Sequence, residues 1–268
     1  MSDQAKNLWT IEAIGTFHSD MRHRFETPRQ GAFALNSGVI ELFPGHNYET
    51  AVEDLTGFER IWVIFLFHLN RTWHPKVTPP VAPPDRKISV FATRSPHRPS
   101  RIGMSCVELE GVEGRLIRVR NVDFLDQTPV LDIKPYIPQA DSFPNSAVGW
   151  LDELTPEIWT VEYLPVVKIQ SAFISDAGGP DLINFCEVQL THAPLDIRRK
   201  RLTELGGDCY EIGCRTWQIR FRVDSVRNHI CVEMVRSNYS QQDLLPEAVD
   251  RYGDLDIHRR FRSEFPEV

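Results

Sequence analysis

The first 150 residues contain a series of short β-type segments separated by Pro and Gly turns, and this pattern constrains the fold most. The residues between the turns have the β-branched and aromatic content of strands. The predicted strands are Trp9–Phe17, Gly38–Phe43, Ile61–His68, Lys87–Thr93, Ile102–Leu109 and Leu116–Val122. So many short strands in succession predict a barrel or a sandwich. One helix is predicted, over Thr50–Leu55, where Thr50 and Glu53 stand at capping-box spacing. The proline-dense segment Pro75–Arg86 predicts a loop over one end of the barrel.

The pattern changes in the second half of the chain. Apolar spacing predicts helices over Asp181–His192 and Ile197–Leu205. Two alternating segments, Tyr210–Val223 and His229–Val235, predict a hairpin that turns at Asp224–Asn228. The tail, Gln241–Val268, is compatible with one more helix. We therefore expect a mainly β protein that ends in a smaller α+β domain over residues 165–268.

Composition limits the class of protein. The chain is 41% apolar and 25% charged, which is typical of a soluble globular protein. It has no apolar run of about 18 residues and no signal-peptide pattern, so we expect neither a membrane span nor export. The five cysteines are odd in number and form no C-x-x-C pair, which favours a reduced cytoplasmic setting over a zinc site. The net charge of −7 argues against non-specific nucleic-acid binding but leaves room for local basic patches.

The clearest basic patch is the segment Val90–Gly103, with three arginines, a histidine and no acid. Pro96 and Pro99 prevent regular strand pairing there, so the bases are expected on a stiff loop at a strand end. A rigid loop with guanidinium groups suits phosphate or carboxylate binding. The alternative is an exposed basic loop without a specific ligand.

Several common motifs are absent from the sequence. No G-x-G-x-x-G follows a strand, so a Rossmann-type methyltransferase or dinucleotide site is not supported. Neither a P-loop nor a G-x-S-x-G motif occurs, which excludes P-loop enzymes and weakens the case for a hydrolase. His68, His74 and His97 do not have the spacing of metal ligands, and no metal is expected.

Three polar clusters interrupt or close the apolar segments: Thr27–Gln30, Phe67–Asn70 and Asp132–Tyr136. A histidine at the end of an apolar strand is most often an interior side chain with a hydrogen-bond partner. Asp132 and Lys134, two residues apart on a strand, point to one face and by default form a structural ion pair. Three such clusters beside the arginine loop are hard to explain by packing alone.

Longer motifs make a family resemblance recognisable. ATRSPHRPSRIGMS at Ala92–Ser105, TPVLDIKPYIP at Thr128–Pro138, PRQ at Pro28–Gln30 and FHLNRTW at Phe67–Trp73 closely resemble the TsaA-like family known as TrmO. The resemblance extends over residues 8–152. In the second half, Pro194–Arg199 only approximates the D-P-R-x-x-Y segment of that family.

The resemblance implies a small β-barrel domain over residues 8–152 and an S-adenosylmethionine-dependent tRNA methyltransferase. Family members methylate N6 of threonylcarbamoyl-adenosine beside the anticodon and work as homodimers, with the cofactor near the subunit interface. Carried over by motif, the cofactor-binding residues are Pro28, Arg29, Gln30, His68, Leu69, Arg94, Met104, Phe124, Leu125, Asp126, Gln127 and Thr128. Where the family usually has D/H-G-T, this chain has Asp126-Gln127-Thr128.

Methyl transfer needs alignment of the reactants more than a protein nucleophile. The predicted groups for the substrate's carboxylate and phosphates are Arg94, His97, Arg98 and Arg101. Asp132 is the predicted proton acceptor, positioned by Lys134 and Tyr136. Two alternatives remain: a barrel that binds the cofactor or RNA without catalysis, and an RNA-processing hydrolase that uses His68, His97 and Asp132.

Overall fold

Six antiparallel strands of the first half of the chain form a closed barrel, which confirms the barrel prediction. The computed structural model of the protein describes residues 9–23, 26–27, 36–83, 85–154, 158–197 and 200–266. The chain divides into a first unit, Met1–Leu154, and a second unit, Thr155–Val268. The barrel strands are β1 (Gly15–His18), β2 (Ser37–Leu42), β3 (Arg60–Leu66), β6 (Ile102–Glu113), β7 (Leu116–Arg120) and β8 (Thr128–Pro135). Around the barrel their order is β1-β2-β7-β6-β3-β8.

Alternation of apolar side chains produces the barrel interior. On β3, every second residue is buried, from Ile61 through Val63 to Phe65. Successive side chains of a strand point to opposite faces, so these three share the interior, together with Phe17 and Val107 from other strands. Gly103 lies opposite Phe65, where an added Cβ would come within 2.4 Å of the Phe65 ring. The glycine is therefore needed for the aromatic ring to fit at this end of the barrel.

Short elements fill the loops of the first unit. These are α1 (Tyr48–Ala51), α2 (Pro138–Asp141) and the two-stranded ribbon of β4 (Lys76–Val77) and β5 (Ile88–Ser89). The predicted helix over Thr50–Leu55 is only α1 followed by one 3₁₀ turn at Glu53–Leu55. The hydroxyl of Thr50 donates to the side-chain carbonyl of Asn47 at 3.2 Å, so the expected capping box does not form.

The predicted strand Lys87–Thr93 is mostly wrong. Only β5 is extended there, and Val90–Ala92 form a 3₁₀ turn. The reason lies later in the chain, where the Arg98 guanidinium hydrogen-bonds the carbonyls of Val90 and Thr93. Those carbonyls bind a side chain instead of a neighbouring strand.

The second unit contains one five-stranded sheet and three helices. The strands are β9 (Thr160–Tyr163), β10 (Leu202–Gly206), β11 (Cys209–Cys214), β12 (Trp217–Asp224) and β13 (His229–Ser237). Strand order is β10-β11-β12-β13-β9, with β9 parallel to β13 and the other pairs antiparallel. The helices are α3 (Pro165–Asp176), α4 (Leu182–Leu190) and α5 (Leu255–Glu264). No helix among the described residues is long and apolar enough to cross a membrane.

Some of the sequence predictions for this second unit are confirmed and others are wrong. The hairpin turn at Asp224–Asn228, the helix that Asp181 caps through the Asn184 N–H at 2.9 Å, and a helix in the tail are confirmed. The helix predicted over Ile197–Leu205 is wrong, because Leu202 pairs with Ile212 and the segment joins the sheet as β10. The hairpin's first segment is two strands, β11 and β12. α3 was not predicted, and β9 brings residues 160–163 into this unit.

A buried histidine joins α5 to the sheet. His258 is fully buried and its ring stacks on Trp217, with 3.7 Å between ring centroids. Its Nε2 lies 2.9 Å from the hydroxyl of Thr216 and its Nδ1 lies 2.7 Å from that of Ser237. Thr216 donates to Asp254 at 2.6 Å. Burial lowers the pKa of His258 to about 4, so the ring is neutral and its two nitrogens serve as one donor and one acceptor.

Candidate active site

A cleft of about 1500 Å³ opens at one end of the barrel. Its walls come from the end of β3 and the turn after it, the loop 74–81, the segment 91–105, the turn 123–128 and residues 150–151. Clefts for small ligands usually enclose about 300–1,000 Å³, so this one has room for a cofactor and part of a second molecule. The first unit alone supplies every lining residue.

The turn after β3 brings two predicted cofactor residues to the cleft. Strand pairing ends at Leu66, where the His68 N–H donates back to the Leu66 carbonyl at 2.7 Å. The Phe67 N–H donates to the Arg101 carbonyl at 2.8 Å, which ties this turn to the arginine loop. His68 and Leu69 then line the cleft, and Leu69 remains 48% exposed.

The arginine loop is built around Arg98. Its Nε donates to the Ser95 carbonyl at 3.1 Å, and its Nη2 donates to the carbonyls of Thr93 at 2.7 Å and Val90 at 3.3 Å. The sequence predicts that Arg98 binds an anion, but two of its nitrogens fix the backbone of the loop. Pro96 and this guanidinium together give the segment 90–98 a defined shape.

The other predicted anion-binding residues differ in their surroundings. Arg94 is exposed at the cleft wall and forms no hydrogen bond or ion pair with any described residue. Arg101 does not line the cleft, and its Nη1 donates to the Asn70 carbonyl at 3.4 Å. His97 lines the cleft, with its Nδ1 3.4 Å from the Asn70 side-chain amide. Lys76 also lines it, although no sequence motif pointed to this residue.

The turn at 123–128 keeps its shape despite the missing glycine. Gln127 has φ of +60°, a left-handed conformation that glycine adopts without strain. Its backbone N–H donates to the Phe17 carbonyl at 2.8 Å, and the Asp126 N–H donates to Met21 at 2.8 Å. The Gln127 side-chain amide lies 3.2 Å from His18 Nδ1 and 3.3 Å from Asp126 Oδ1. Phe124, Leu125 and Thr128 line the cleft, whereas Asp126 and Gln127 do not.

Asp123 also lies in this wall, and the sequence analysis did not single it out. Among the described residues that line the cleft, it is the only carboxylate. The hydroxyl of Ser105, a buried residue of β6, donates to its Oδ1. Its one sequence signal was its place next to the predicted Phe124–Thr128 turn.

Of the predicted catalytic residues Asp132, Lys134, Tyr136 and Arg94, only Arg94 lines this cleft. Asp132 pairs with Ile64 and Lys134 with Trp62, so both point to the outer face of the barrel. Their side chains form the expected ion pair, with 2.8 Å from Lys134 Nζ to Asp132 Oδ2, and both are about half exposed. Tyr136 contacts Trp62 edge-on, with 5.8 Å between ring centroids. The structure thus separates Asp132, Lys134 and Tyr136 from the predicted cofactor residues.

Met104 is another of the predicted cofactor residues in the described part of the chain. Met104 lines the cleft, with its side chain 55% exposed. Pro28, Arg29 and Gln30 lie outside the described residues. No three His, Cys, Asp or Glu side chains in the described part of the chain are arranged to hold a metal ion. The hydrolase alternative loses support, since Asp132 lies apart from His68 and His97.

Comparison with known proteins agrees with this geometry. The family model for the tRNA-methyltransferase O N-terminal domain matches residues 16–142. A tRNA (adenine(37)-N6)-methyltransferase of Escherichia coli K12 is 32% identical over 220 residues, which cover 80% of this chain and 92% of the relative. An Archaeoglobus fulgidus protein, named for S-adenosyl-L-methionine binding, is 38% identical over 152 residues, or 56% of this chain and 40% of the relative.

The fold has a counterpart among solved structures. The crystal structure of TrmO from Pseudomonas aeruginosa superposes with a TM-score of 0.62 at 29% identity. The match covers 86% of this chain and 99% of that one. It therefore extends beyond the barrel into the second unit.

Proposed function

Because the chain belongs to the tRNA-methyltransferase O family, we propose that it methylates threonylcarbamoyl-adenosine next to the anticodon of tRNA. The enzyme is an S-adenosylmethionine-dependent methyltransferase that acts on N6 of an adenosine in tRNA. The proposal adds the carbamoylated form of that adenosine as the substrate. The observation that carries it is the cleft at the barrel mouth, which is lined by residues of FHLNRTW, of ATRSPHRPSRIGMS and by Thr128 at the start of TPVLDIKPYIP.

The cleft suits S-adenosylmethionine in both size and chemistry. Apolar and aromatic side chains dominate its walls, among them Phe65, Phe67 and Phe124, and such surfaces accept an adenine ring and a sulfonium. When bound, S-adenosylmethionine supplies an electrophilic methyl carbon on a positively charged sulfur. We assign its binding to His68, Leu69, Arg94, Met104 and the turn 124–128, with Pro28, Arg29 and Gln30. The left-handed Gln127 supports this assignment, because the turn keeps the backbone conformation that a glycine would give.

The cationic side of the cleft suits the substrate. Threonylcarbamoyl-adenosine carries a carboxylate, and the tRNA backbone carries phosphates nearby. Arg94 and Lys76 are the cleft-lining cations with no hydrogen bond or ion pair to the described residues, so they are available for these anions. Arg98 shapes the loop that presents Arg94, and His97 and Arg101 flank it. The expected result is tRNA binding that weakens steeply with salt.

The rim of the cleft suits a second copy of the chain. Phe91 is 81% exposed, and Met104 and Leu69 beside the cleft are about half exposed. Three large exposed apolar side chains around one ligand site favour burial of that surface against a partner. We propose a homodimer that covers this rim, in the cytoplasm where tRNA is found.

The test is mass spectrometry of tRNA nucleosides after incubation of the protein with S-adenosylmethionine. Two tRNA preparations are compared, one with unmethylated threonylcarbamoyl-adenosine and one from cells that lack the threonylcarbamoyl group. We expect one added methyl on the modified nucleoside in the first and little in the second. Equal methylation of both would refute the carbamoylated substrate. Binding of S-adenosylhomocysteine without methylation of either would favour a barrel that has lost catalysis.

A further inference from the structure

We infer that Asp123 accepts the proton that N6 of the substrate loses during methyl transfer. The inference rests on the proposed function, since only N6 methylation supplies this proton. It assigns a catalytic role to a residue that neither the motifs nor the comparisons single out.

The position of Asp123 is fixed by its neighbours. Val122 and Phe124 on either side are fully or nearly fully buried in the barrel core. The backbone of Asp123 is therefore anchored, while its side chain reaches the cleft wall. Ser105 holds the carboxylate through its hydroxyl, which donates to Oδ1. A group positioned by the rigid barrel can be held at the angle and distance that proton transfer needs.

Apart from Asp123, the charged and titratable side chains among the described cleft residues are all basic. The titratable and charged groups that share the cleft with Asp123 are Lys76, Arg94, Arg98, His68, His74 and His97. Cations near a carboxylate stabilise its charged form, which is the form that accepts a proton. Among the described residues that line the cleft, Asp123 therefore has no second carboxylate beside it.

Other side chains fit the role less well. Nδ1 of His97 lies 3.4 Å from the side-chain amide nitrogen of Asn70. If Nδ1 accepts a hydrogen bond from that amide, Nε2 of the neutral ring carries the hydrogen and cannot accept a proton. His74 is exposed, with its ring centroid 5.5 Å from that of His97, on the loop side of the cleft. Asp132 points to the outer barrel face. Among the described residues that line the cleft, Asp123 alone combines a carboxylate with a backbone anchored between two buried neighbours.

The step balances without another reactant. N6 uses an electron pair to form its bond to the methyl carbon, and the pair of the carbon–sulfur bond remains on sulfur as a neutral thioether leaves. The N6–H bond breaks, its electron pair stays on nitrogen, and the proton moves to a carboxylate oxygen of Asp123. Water removes that proton after product release.

Ser105 is assigned as a positioning residue. Its hydroxyl donates to Oδ1 of Asp123 and forms no hydrogen bond with a second acceptor among the described residues. Loss of the hydroxyl should favour the protonated carboxyl, because hydrogen bonding to a charged form stabilises that form. The rate should then begin to fall at a higher pH than in the wild-type enzyme.

The experiment measures single-turnover methylation of threonylcarbamoyl tRNA against pH, and calorimetric binding of S-adenosylhomocysteine. We expect Asp123→Asn to lower the rate at least about 100-fold, a usual contribution of a general base, with S-adenosylhomocysteine affinity within about threefold of wild type. Ser105→Ala should move the acidic limb of the rate profile to higher pH. Asp54→Asn, the same chemical change at an exposed position of the first unit, is the matched control and should retain the wild-type profile.

Each contrary result has a distinct meaning. An Asp123→Asn enzyme with a wild-type rate would overturn the inference, as would a loss of S-adenosylhomocysteine affinity as large as the loss of rate, which would make Asp123 a cofactor ligand. A misfolded Asp123→Asn protein, recognised by its circular dichroism, passes the decision to Ser105→Ala, and an unshifted profile there counts against the inference. Asp132→Asn is measured beside it, and a loss confined to that variant would restore the prediction made from the sequence. An inactive wild-type enzyme would refute the proposed function itself.

Discussion

Replacement of Arg98 separates a loop-building arginine from an anion-binding one. Arg98→Lys keeps the positive charge but removes the planar fork that reaches three carbonyls, at 2.7, 3.1 and 3.3 Å. Arg98→Ala removes both. Arg94→Ala, four residues earlier on the same loop, removes a charge that forms no hydrogen bond or ion pair with the described residues. The three variants thus differ in which property they lose.

The hydrogen bonds of Arg98 set the expected magnitude. A hydrogen bond to a charged group contributes about 1.5–3 kcal/mol, but water can replace part of that contribution when the guanidinium leaves. We take about 2 kcal/mol as the cost of ordering the loop without Arg98. If ligand binding must supply that ordering, affinity for S-adenosylhomocysteine falls about 30-fold. Because lysine can serve few of the three carbonyls, Arg98→Lys should lose nearly as much affinity as Arg98→Ala.

Two measurements distinguish whether Arg98 orders the loop or binds an anion of the substrate. Calorimetry with S-adenosylhomocysteine reports the order of the loop, and tRNA affinity at several salt concentrations counts phosphate contacts. Arg94→Ala should leave the first within about twofold and lower the salt slope by about 1. Full affinity in Arg98→Lys would show that charge matters rather than the fork. A reduced salt slope in Arg98→Ala, with S-adenosylhomocysteine affinity intact, would show that Arg98 contacts the substrate and would refute the reasoning.

Three further predictions concern stability and the cofactor turn. Because the folded pKa of His258, about 4, lies below its ordinary value, its stabilisation is complete above about pH 6.5 and is lost as the pH falls toward 4. Urea unfolding at pH 7.5 and 5 should show about 2 kcal/mol more acid destabilisation in wild type than in His258→Gln, and equal losses would disprove this account. Gln127→Gly should keep S-adenosylhomocysteine affinity, whereas Gln127→Val should weaken it because a β-branched residue resists φ of +60°; equal affinities would contradict this. Glu211→Gln should cost about 2 kcal/mol in thermal unfolding, since the nearly buried carboxylate accepts from Arg220 at 3.0 Å and Arg236 at 2.6 Å; an unchanged melting temperature would count against it.

The barrel could be predicted from the sequence because its signal is local. Alternation in segments such as Ile61–Phe65 places one face inward whatever strands lie next to it. The helix predicted over Ile197–Leu205 failed because its structure depends on a distant partner, Ile212, which recruits Leu202 into a sheet. The strand predicted at Lys87–Thr93 failed for a similar reason, since Arg98 takes its carbonyls.

In the candidate site, too, the sequence predicted what depends on local motifs and not what depends on distant parts of the chain. Motifs located His68, Leu69, Arg94 and the turn after Asp123, and all but Asp126 and Gln127 of that turn contribute to the cleft wall. The ion pair of Asp132 and Lys134 also follows from their spacing, but spacing cannot tell which face of the strand points outward. A β-bulge shifts the pairing between Ile64 and Phe65, so the outward position of Asp132 depends on a register that the sequence does not reveal. Asp123 reaches the cleft only because the barrel closes, and no local pattern records that closure.

Closure of the barrel also has a consequence for synthesis of the chain on the ribosome. The last seam joins β1 to β8, where Gly15 pairs with Val130, 115 residues later. At about 5–20 residues per second, β1 leaves the ribosome roughly 6–23 s before its partner is translated. During that interval the growing chain carries an unpaired strand edge and an open apolar interior, which are the features that promote association between nascent chains. Slower initiation or lower temperature during expression should therefore raise the yield of folded protein, because fewer unfinished barrels are present at once.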